Sequence, residues 1–272
     1  MTQTKDPQTW YKQGNTLFGL GRYEGAIAKF DKHLKTCPDS LEAWVNRGYA
    51  LCELNAFIRA IDSFDRALRL DPRSVMALHG RGIALAKVDR QEEAIASFDA
   101  ALAIDPDNHK VWYNKGLALM ALDCYPAAVG CFDKAVELKP DNYRAWYNRA
   151  TALTSMHRYE DALTSLDNAI TIKQTCHYAW SHRGMILAKL NRHDEAVISF
   201  ENSLKCRSDN PQAWYGQASS YAMMGNLEQT IRSLHRALVL SPNLYRVLAK
   251  TDSHFDRVRK TRQFQELIHQ PC

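Results

Sequence analysis

The sequence predicts an all-α protein built from repeated helix pairs. Its six tryptophans, Trp10, Trp44, Trp112, Trp146, Trp180 and Trp214, lie at multiples of 34 residues, and Leu78 fills the one gap in the series. Between them, apolar and small residues recur at three- and four-residue steps, the spacing that gathers side chains on one face of a helix. Pro38, Pro72, Pro106, Pro140 and Pro242 recur at the ends of units, where a residue without a backbone N–H cannot continue a helix.

Cut at this spacing, the chain has a short lead (1–6), then seven units without insertion or deletion: 7–40, 41–74, 75–108, 109–142, 143–176, 177–210 and 211–244. A remainder, 245–272, follows as a C-terminal cap. Each unit reads as two amphipathic helices and a short turn. In the second, the first helix runs from about Leu41 to Leu54 and the second from about Ile58 to Leu70, closed by Asp71-Pro72. Small residues stand eight places into the units, at Gly14, Gly48, Gly82, Gly116, Ala150, Gly184 and Ala218. A second small series runs Ala26, Ala60, Ala94, Ala128, Ala162, Ala196 and Thr230. Glycine inside a helix costs roughly 1 kcal/mol against alanine, so its recurrence calls for close helix crossing. Phe30, Phe64, Phe98, Phe132, Leu166, Phe200 and Leu234 join the tryptophans as the large core residues.

The recurring Trp, Leu-Gly, Tyr, Ala, Phe, Ala and Pro, as in EAWVNRGYALCELNAFIRAIDSFDRALRLDP, resemble the tetratricopeptide (TPR) repeat, in phase over residues 7–244. The resemblance implies a right-handed α-solenoid superhelix of antiparallel helix pairs, first helices lining a concave groove and second helices forming the back. Gln174 and Ser208 depart from the pattern at the closing proline, and His33 and Ser203 at the alanine near the end of the second helix. These departures bear on local rigidity, not on the fold. The remainder, with Phe255, Val258, Phe264, Leu267 and Ile268, can cover the apolar face left by the last unit and is similar to endings of bacterial TPR arrays.

Composition narrows the function. With 272 residues, 46% hydrophobic and 24% charged, and only 12 Gly and 9 Pro, the chain is neither disordered nor low-complexity. It has no run of about 18 apolar residues, and MTQTKDPQTW lacks the apolar core of an export signal, so neither a membrane span nor secretion is expected. Seven scattered cysteines (Cys37, Cys52, Cys124, Cys131, Cys176, Cys206 and Cys272), none in a C-x-x-C pair, suggest no disulfide framework and fit a reducing cytoplasm. Ten histidines form no H-E-x-x-H or Cys-His cluster, so neither metal nor catalysis is expected and no cofactor is implied. Cys124 and Cys131 read as packing residues, and His177 and His182 as ordinary surface or groove histidines.

Two charge columns are offset by one unit. Asp31, Asp65, Asp99, Asp133 and Asp167 occupy second helices; Arg47, Arg81, Lys115, Arg149 and Arg183 occupy the first helices that follow. Each aspartate is expected to pair with the next unit's base and fix the rotation between neighbours. The other reading is two independent solvated columns.

If the first helices line a groove, the resemblance places the residues two, five, six, nine, twelve and thirteen places into each unit inward. Tyr11, Tyr49, Tyr113, Tyr147, Tyr178 and Tyr215 fall there, large rings with a hydroxyl that suit recognition; some can instead pack sideways on adjacent helices. Asn46, Asn114 and Asn148 share one inward place, interrupted by Gly80, His182 and Gly216. Their amides can hold an extended backbone, as in the asparagine ladder of some TPR superhelices, or bond to the neighbouring repeat. Lys12, Lys87, Lys110, Arg144, Lys189, Arg246 and Lys250 outnumber Glu42 and Glu53 inward, which favours acidic ligands. The Hsp70/Hsp90 tail clamp is absent: Asn15 and Asn46 match it in part, but Tyr11 replaces the first Lys, and Met76 and Gly80 stand where Lys and Arg are required.

The expected function is therefore a non-catalytic protein–protein interaction scaffold or adaptor holding an extended, partly acidic peptide. Its site would comprise Tyr11, Asn46, Tyr49, Lys110, Tyr113, Asn114, Arg144, Tyr147, Asn148, Tyr178, His182 and Tyr215. The alternatives are single-stranded RNA in the basic groove, against which Arg is scarce and no base code recurs, and self-association through the solenoid ends, since Trp10 and the apolar start have no dedicated cap.

Overall fold

A computed structural model describes residues 6–269, so most of the 1–6 lead and Cys272 lie outside the described residues. The described residues are all-helical and divide into two compact units on either side of the 140/141 bond. The first contains α1 (Pro7–Gly19), α2 (Tyr23–Thr36), α3 (Leu41–Glu53), α4 (Phe57–Leu70), α5 (Val75–Lys87), α6 (Gln91–Ile104), α7 (His109–Ala121) and α8 (Tyr125–Leu138). The second contains α9 (Tyr143–Ser155), α10 (Tyr159–Ile172), α11 (His177–Lys189), α12 (His193–Cys206), α13 (Pro211–Met223), α14 (Leu227–Leu240), α15 (Pro242–Thr251), a 3-10 turn (Ser253–Phe255) and α16 (Arg262–His269). Within each unit a first helix packs on its own second helix, and that second helix packs on the next first helix, the stacking of an α-solenoid.

Local chemistry sets the repeat. The fifteenth residue of every repeat, Gly21, Asn55, Asp89, Asp123, His157, Asn191 and Gly225, has positive φ, from 55° to 77°. Only glycine and the short polar residues enter that region cheaply, so this place ends each first helix and turns the chain back. His157, the bulkiest of the set, is held by a 2.8 Å contact between its Nδ1 and Tyr159 Oη. At the other turn, Ser74, Asn108, Asn142 and Asn210 accept from the backbone N–H three residues on, capping α5, α7, α9 and α13.

The predicted small–large crossing forms. Phe30, Phe64, Phe98, Phe132 and Phe200 are fully buried. A Cβ added to Gly48 would stand 2.6 Å from the Phe64 ring, and one at Gly82 2.5 Å from Phe98. Where the small residue is alanine, at Ala150 and Ala218, the large one is leucine, Leu166 and Leu234, also fully buried. The two series vary together because one ring fills the space that the absent methyl leaves.

The departures from the repeat pattern keep their polar atoms satisfied. Buried His33 bonds through Nδ1 to the Pro7 carbonyl at 2.9 Å, and buried Ser203 donates to the His177 carbonyl at 2.8 Å, both at the start of their own first helix. Trp44, Trp112, Trp180 and Trp214 donate Nε1–H to the carbonyls of Pro38, Pro106, Gln174 and Ser208 at 2.7–2.9 Å. The tryptophan thus needs only a carbonyl at the unit's end, which is why glutamine and serine can replace the proline.

The four charge pairs between neighbouring repeats whose members both lie before residue 141 or both after it are formed: Asp31–Arg47, Asp65–Arg81 and Asp167–Arg183 at 2.7 Å, and Asp99–Lys115 at 2.5 Å. Near residue 244 a helix, α15, runs from Pro242 to Thr251. Leu244 stands at the capping place and has no oxygen to cap with, so α15 begins early, at Pro242, whose missing N–H costs nothing in a first turn. Pro242 opens a helix there instead of closing a unit.

Candidate functional site

In the first unit the candidate side chains project from α1, α3 and α7 and contact each other as well as solvent. The Tyr11 ring lies 6.1 Å from Phe30, Tyr49 5.2 Å from Phe64, and Tyr113 6.0 Å from Phe132. All three are half-buried, with one edge on the core. Tyr49 Oη donates to the Met76 carbonyl at 2.9 Å, and burial, with the Cys52 thiol adding to it, pushes its phenol up to about 12. Asn46 Nδ2 donates to Asn15 Oδ1 at 2.9 Å and to Tyr11 Oη at 3.3 Å. Asn114 Nδ2 donates to His79 Nε2 at 2.8 Å. Two of the three ladder amides therefore bridge to the preceding repeat with their N–H groups. His79 is a residue that sequence reasoning missed, although it occupies the place of Tyr11 and Tyr113. Burial, helped by the charge of exposed Lys110, lowers its pKa to about 4, so it is neutral and able to accept from Asn114.

In the second unit, Tyr147, Tyr178 and His182 come together. Tyr147 and Tyr178 meet edge to face with centroids 4.9 Å apart, and the His182 ring lies 5.8 Å from Tyr147. With Thr151, Met185 and Gln212 they line a pocket of about 560 Å³ whose wall also includes Arg207 and Tyr245. Thr154 Oγ1 gives its proton to the Ala150 carbonyl at 2.8 Å, so the 3.1 Å contact to His182 Nε2 is donated by the imidazole. His182 thus carries its proton on Nε2, burial lowers its pKa, and it is neutral.

Positive charge gathers beside this pocket at the start of α9. Arg144 Nε donates to Tyr143 Oη at 3.2 Å and Lys173 Nζ does so at 3.1 Å, with Lys173 Nζ 4.5 Å from the Tyr143 ring centroid. A hydrogen bond from Tyr178, followed by those from Arg144 and Lys173, lowers the Tyr143 phenol to about 8. Tyr143 and Lys173 carried no signal in the sequence, since neither stands at an inward place. Asn148 is half-buried on α9.

Tyr215 is tied to the C-terminal cap. Its hydroxyl donates to Asp252 Oδ2 at 2.8 Å, and its ring lies 4.9 Å from Tyr245 and 5.5 Å from Phe255. Burial and the Asp252 carboxylate both raise its phenol's pKa. The cap, with Phe255, Val258, Phe264 and Ile268 buried, closes the exposed side of α13 and α14.

Two of the thiols are not activated. Burial pushes the Cys52 thiol up to about 12 and the Cys131 thiol up to about 11, the reverse of what activates a nucleophile. Among the described residues no group of three His, Cys, Asp or Glu side chains is placed to hold a metal ion. No helix among them is long and apolar enough to cross a membrane.

Comparison with known proteins agrees with this architecture. Models of the tetratricopeptide repeat match residues 11–74, 54–109, 109–142, 131–164 and 177–210. A model of the protein prenyltransferase alpha subunit repeat matches 159–190. No curated protein matches the chain. Among solved structures, it is similar to the C-terminal part of a TPR repeat-containing protein from Cytophaga hutchinsonii (16% identity, 91% of this chain and 99% of that one, TM-score 0.71). It is also similar to YrrB, described as a TPR protein with an unusual peptide-binding site (24% identity, 70% and 98%, TM-score 0.62), and to MamA (22% identity, 62% and 92%, TM-score 0.57). At these identities the likeness is one of fold. With repeat matches over most of its length, paired helices throughout its repeats and one residue pattern recurring in phase, the chain belongs to the tetratricopeptide repeat family.

Proposed function

We propose that this chain is a non-catalytic scaffold or adaptor of the cytoplasm whose first-helix faces hold an extended, partly acidic protein segment. The observation that carries the reading is the pocket of about 560 Å³ in the second unit. Its Tyr147, Tyr178 and Met185 offer apolar area to a side chain, while Gln212 and the Thr151 hydroxyl oxygen offer hydrogen bonds to a backbone. Arg144 and Lys173 supply positive charge for carboxylates nearby, whereas Arg207 is paired with Asp209 at 2.9 Å. The fold itself supports a protein partner, and the peptide-binding site named for YrrB supports a peptide-like ligand. The cytoplasmic assignment is supported by the free thiols of the described cysteines.

The test is affinity capture from native cell extract, with and without nuclease, comparing wild type with Tyr113→Ala/Asn114→Ala/Tyr147→Ala/Asn148→Ala. Capture of a protein partner should survive nuclease and disappear in the variant, whose far-ultraviolet circular dichroism should stay helical. Undiminished capture by a folded variant would refute the reading, and capture abolished by nuclease would replace it with RNA binding.

A further inference from the structure

The C-terminal end of the second unit carries a surface that repeat packing does not account for. Val239 and Leu240 at the end of α14 and Leu244, Val247 and Leu248 on α15 are 61%, 40%, 55%, 64% and 39% exposed; Leu240 alone among them repeats a feature of earlier units, where Leu70, Leu138 and Ile172 are equally open. Ser241 alone separates the two helices, so the five side chains belong to one short stretch. Comparison between repeats shows what is unusual. The place of Val239 is held elsewhere by Lys35, Arg69, Glu137, Thr171 and Lys205, with Ala103 as the other uncharged small residue. The place of Leu244 is held by Ser40, Ser74, Asn108, Asn142 and Asn210, and by Cys176. Two positions that are polar in five of the six other repeats carry large aliphatic side chains here without being buried. On α15, Leu244, Val247 and Leu248 are spaced by three and four and share a face, while Tyr245 and Ala249 on the other face pack inward.

The patch has an anchor pocket and a charged rim. Ser208, Asp209, Trp214, Arg236, Val239 and Leu240 wall a cavity of about 260 Å³, the size of one large side chain, and Asp209 restricts it to an uncharged side chain of the occupant. Residues 227–269 contain eight Lys and Arg against four Asp and Glu. Three of those four acids are already engaged: Asp252 with Tyr215 and His254, Asp256 with Arg259, and Glu266 with Arg262. Arg236 and Lys250 are exposed on the two helices that carry the patch.

We infer that the α14–α15 face is a second docking surface, sharing only Lys250 with the expected inward set of the first helices, for an acidic amphipathic helix that sets apolar residues three and four apart on Val239, Leu244 and Val247 and Asp or Glu against Arg236 and Lys250. Charge selects this occupant. A second copy of this chain docked face to face would oppose the same cationic rims, which repel. A flat anionic membrane would leave the pocket beside Trp214 unfilled, whereas a helix side chain fills it.

The experiment is selection from a displayed library of random amphipathic peptides on the full chain, followed by affinities measured by fluorescence anisotropy. The comparison proteins are Val239→Ser/Leu244→Ser/Val247→Ser, Arg236→Glu/Lys250→Glu and Tyr147→Ala/Asn148→Ala. Both patch variants alter exposed side chains, and thermal melts should match wild type. Expected are peptides with Asp or Glu flanking an i, i+3, i+4 apolar stripe that bind each patch variant at least tenfold more weakly and the Tyr147/Asn148 variant unchanged. Peptides that bind wild type and both patch variants alike, or no enrichment of acidic flanks, would overturn the inference. So would dimerisation, or co-sedimentation with phosphatidylserine vesicles, that the serine variant abolishes while peptide binding is unaffected. Failure here leaves the first-helix proposal standing, because the Tyr147/Asn148 variant reports on that face separately.

Discussion

Arg81 on α5 reaches back to Asp65 on α4, its Nε donating to Oδ1 at 2.7 Å, while its Nη1 donates to Ser97 Oγ on α6 at 2.8 Å. One guanidinium therefore ties three helices: the second helix of the preceding repeat, its own helix and that helix's partner. The serine can accept because its own proton goes to the Glu93 carbonyl at 2.9 Å. Arg47 and Arg183 repeat the arrangement with Ser63 and Ser199. Lys115, a point charge without a fork, reaches Asp99, and there the serine place holds Cys131.

Replacing Arg81 with lysine should keep the aspartate contact and lose the serine. We expect a loss of about 1 kcal/mol, the scale of one hydrogen bond, read from urea denaturation. Lys115→Arg should gain stability only together with Cys131→Ser. Equal stability of Arg81→Lys and wild type would show that the serine contributes nothing.

The Gly82–Phe98 pair should behave as one unit. Gly82→Ala removes a flexible residue but drives a methyl against the ring, and overpacking of this kind costs about 1–3 kcal/mol. Adding Phe98→Leu reproduces the Ala150/Leu166 combination and should recover a large part of that loss. A double-mutant cycle on denaturation should give a favourable coupling of about 1 kcal/mol or more, and additive effects would refute the shared-space account.

Proline should be welcome where two repeats lack it. Lys173 before Gln174 has φ −134° and ψ 86°, and Arg207 before Ser208 has φ −149° and ψ 96°, extended conformations that a following proline permits. The carbonyls that Trp180 and Trp214 use remain. Gln174→Pro and Ser208→Pro should each stabilise by about 0.4–1 kcal/mol through the unfolded chain, seen as a higher melting temperature.

Acid should weaken the fold through His79. Burial holds its pKa near 4, against about 6.5 for a free histidine. The unfolded chain therefore binds a proton that the folded one refuses, and stability falls as pH drops from 6.5 towards 4. At pH 5 the contribution lost is on the order of 2 kcal/mol. His79→Tyr, the residue found at this place in Tyr113 and Tyr147, should shrink the stability difference between pH 7 and pH 5 by about that amount. An unchanged difference would mean that His79 is hydrated.

Much of the fold was legible because the repeat prints its packing as a period. Helix ends for the second repeat were read to within one residue, since a left-handed turn residue and a closing proline mark them. The Asp65–Arg81 partnership was legible as an offset between two columns, but its third member, Ser97, was not, because a serine inside a helix carries no charge to notice. The early start of α15 was written in Leu244, an apolar residue in a column of caps. The candidate site was legible only in part. The family resemblance placed Tyr147, Tyr178 and His182 inward, and all three line one pocket. It gave no hint that Tyr143 and Lys173 would bring a second tyrosine and a cation beside them, since that meeting depends on where one turn ends.

The sequence by itself determined what is periodic and local: helix lengths, turn residues, the matched series of small and large side chains, and the membership of the family. Tertiary structure decided which polar groups were already occupied by neighbours. Asn46, Asn114, Tyr49 and Tyr215 look equally available when read along the chain, yet each has given hydrogen bonds to a residue 27 to 37 positions away. Hydrogen bonds are short-ranged and directional, so their distribution follows from the rotation of one helix against the next, a quantity that the period of a sequence does not contain.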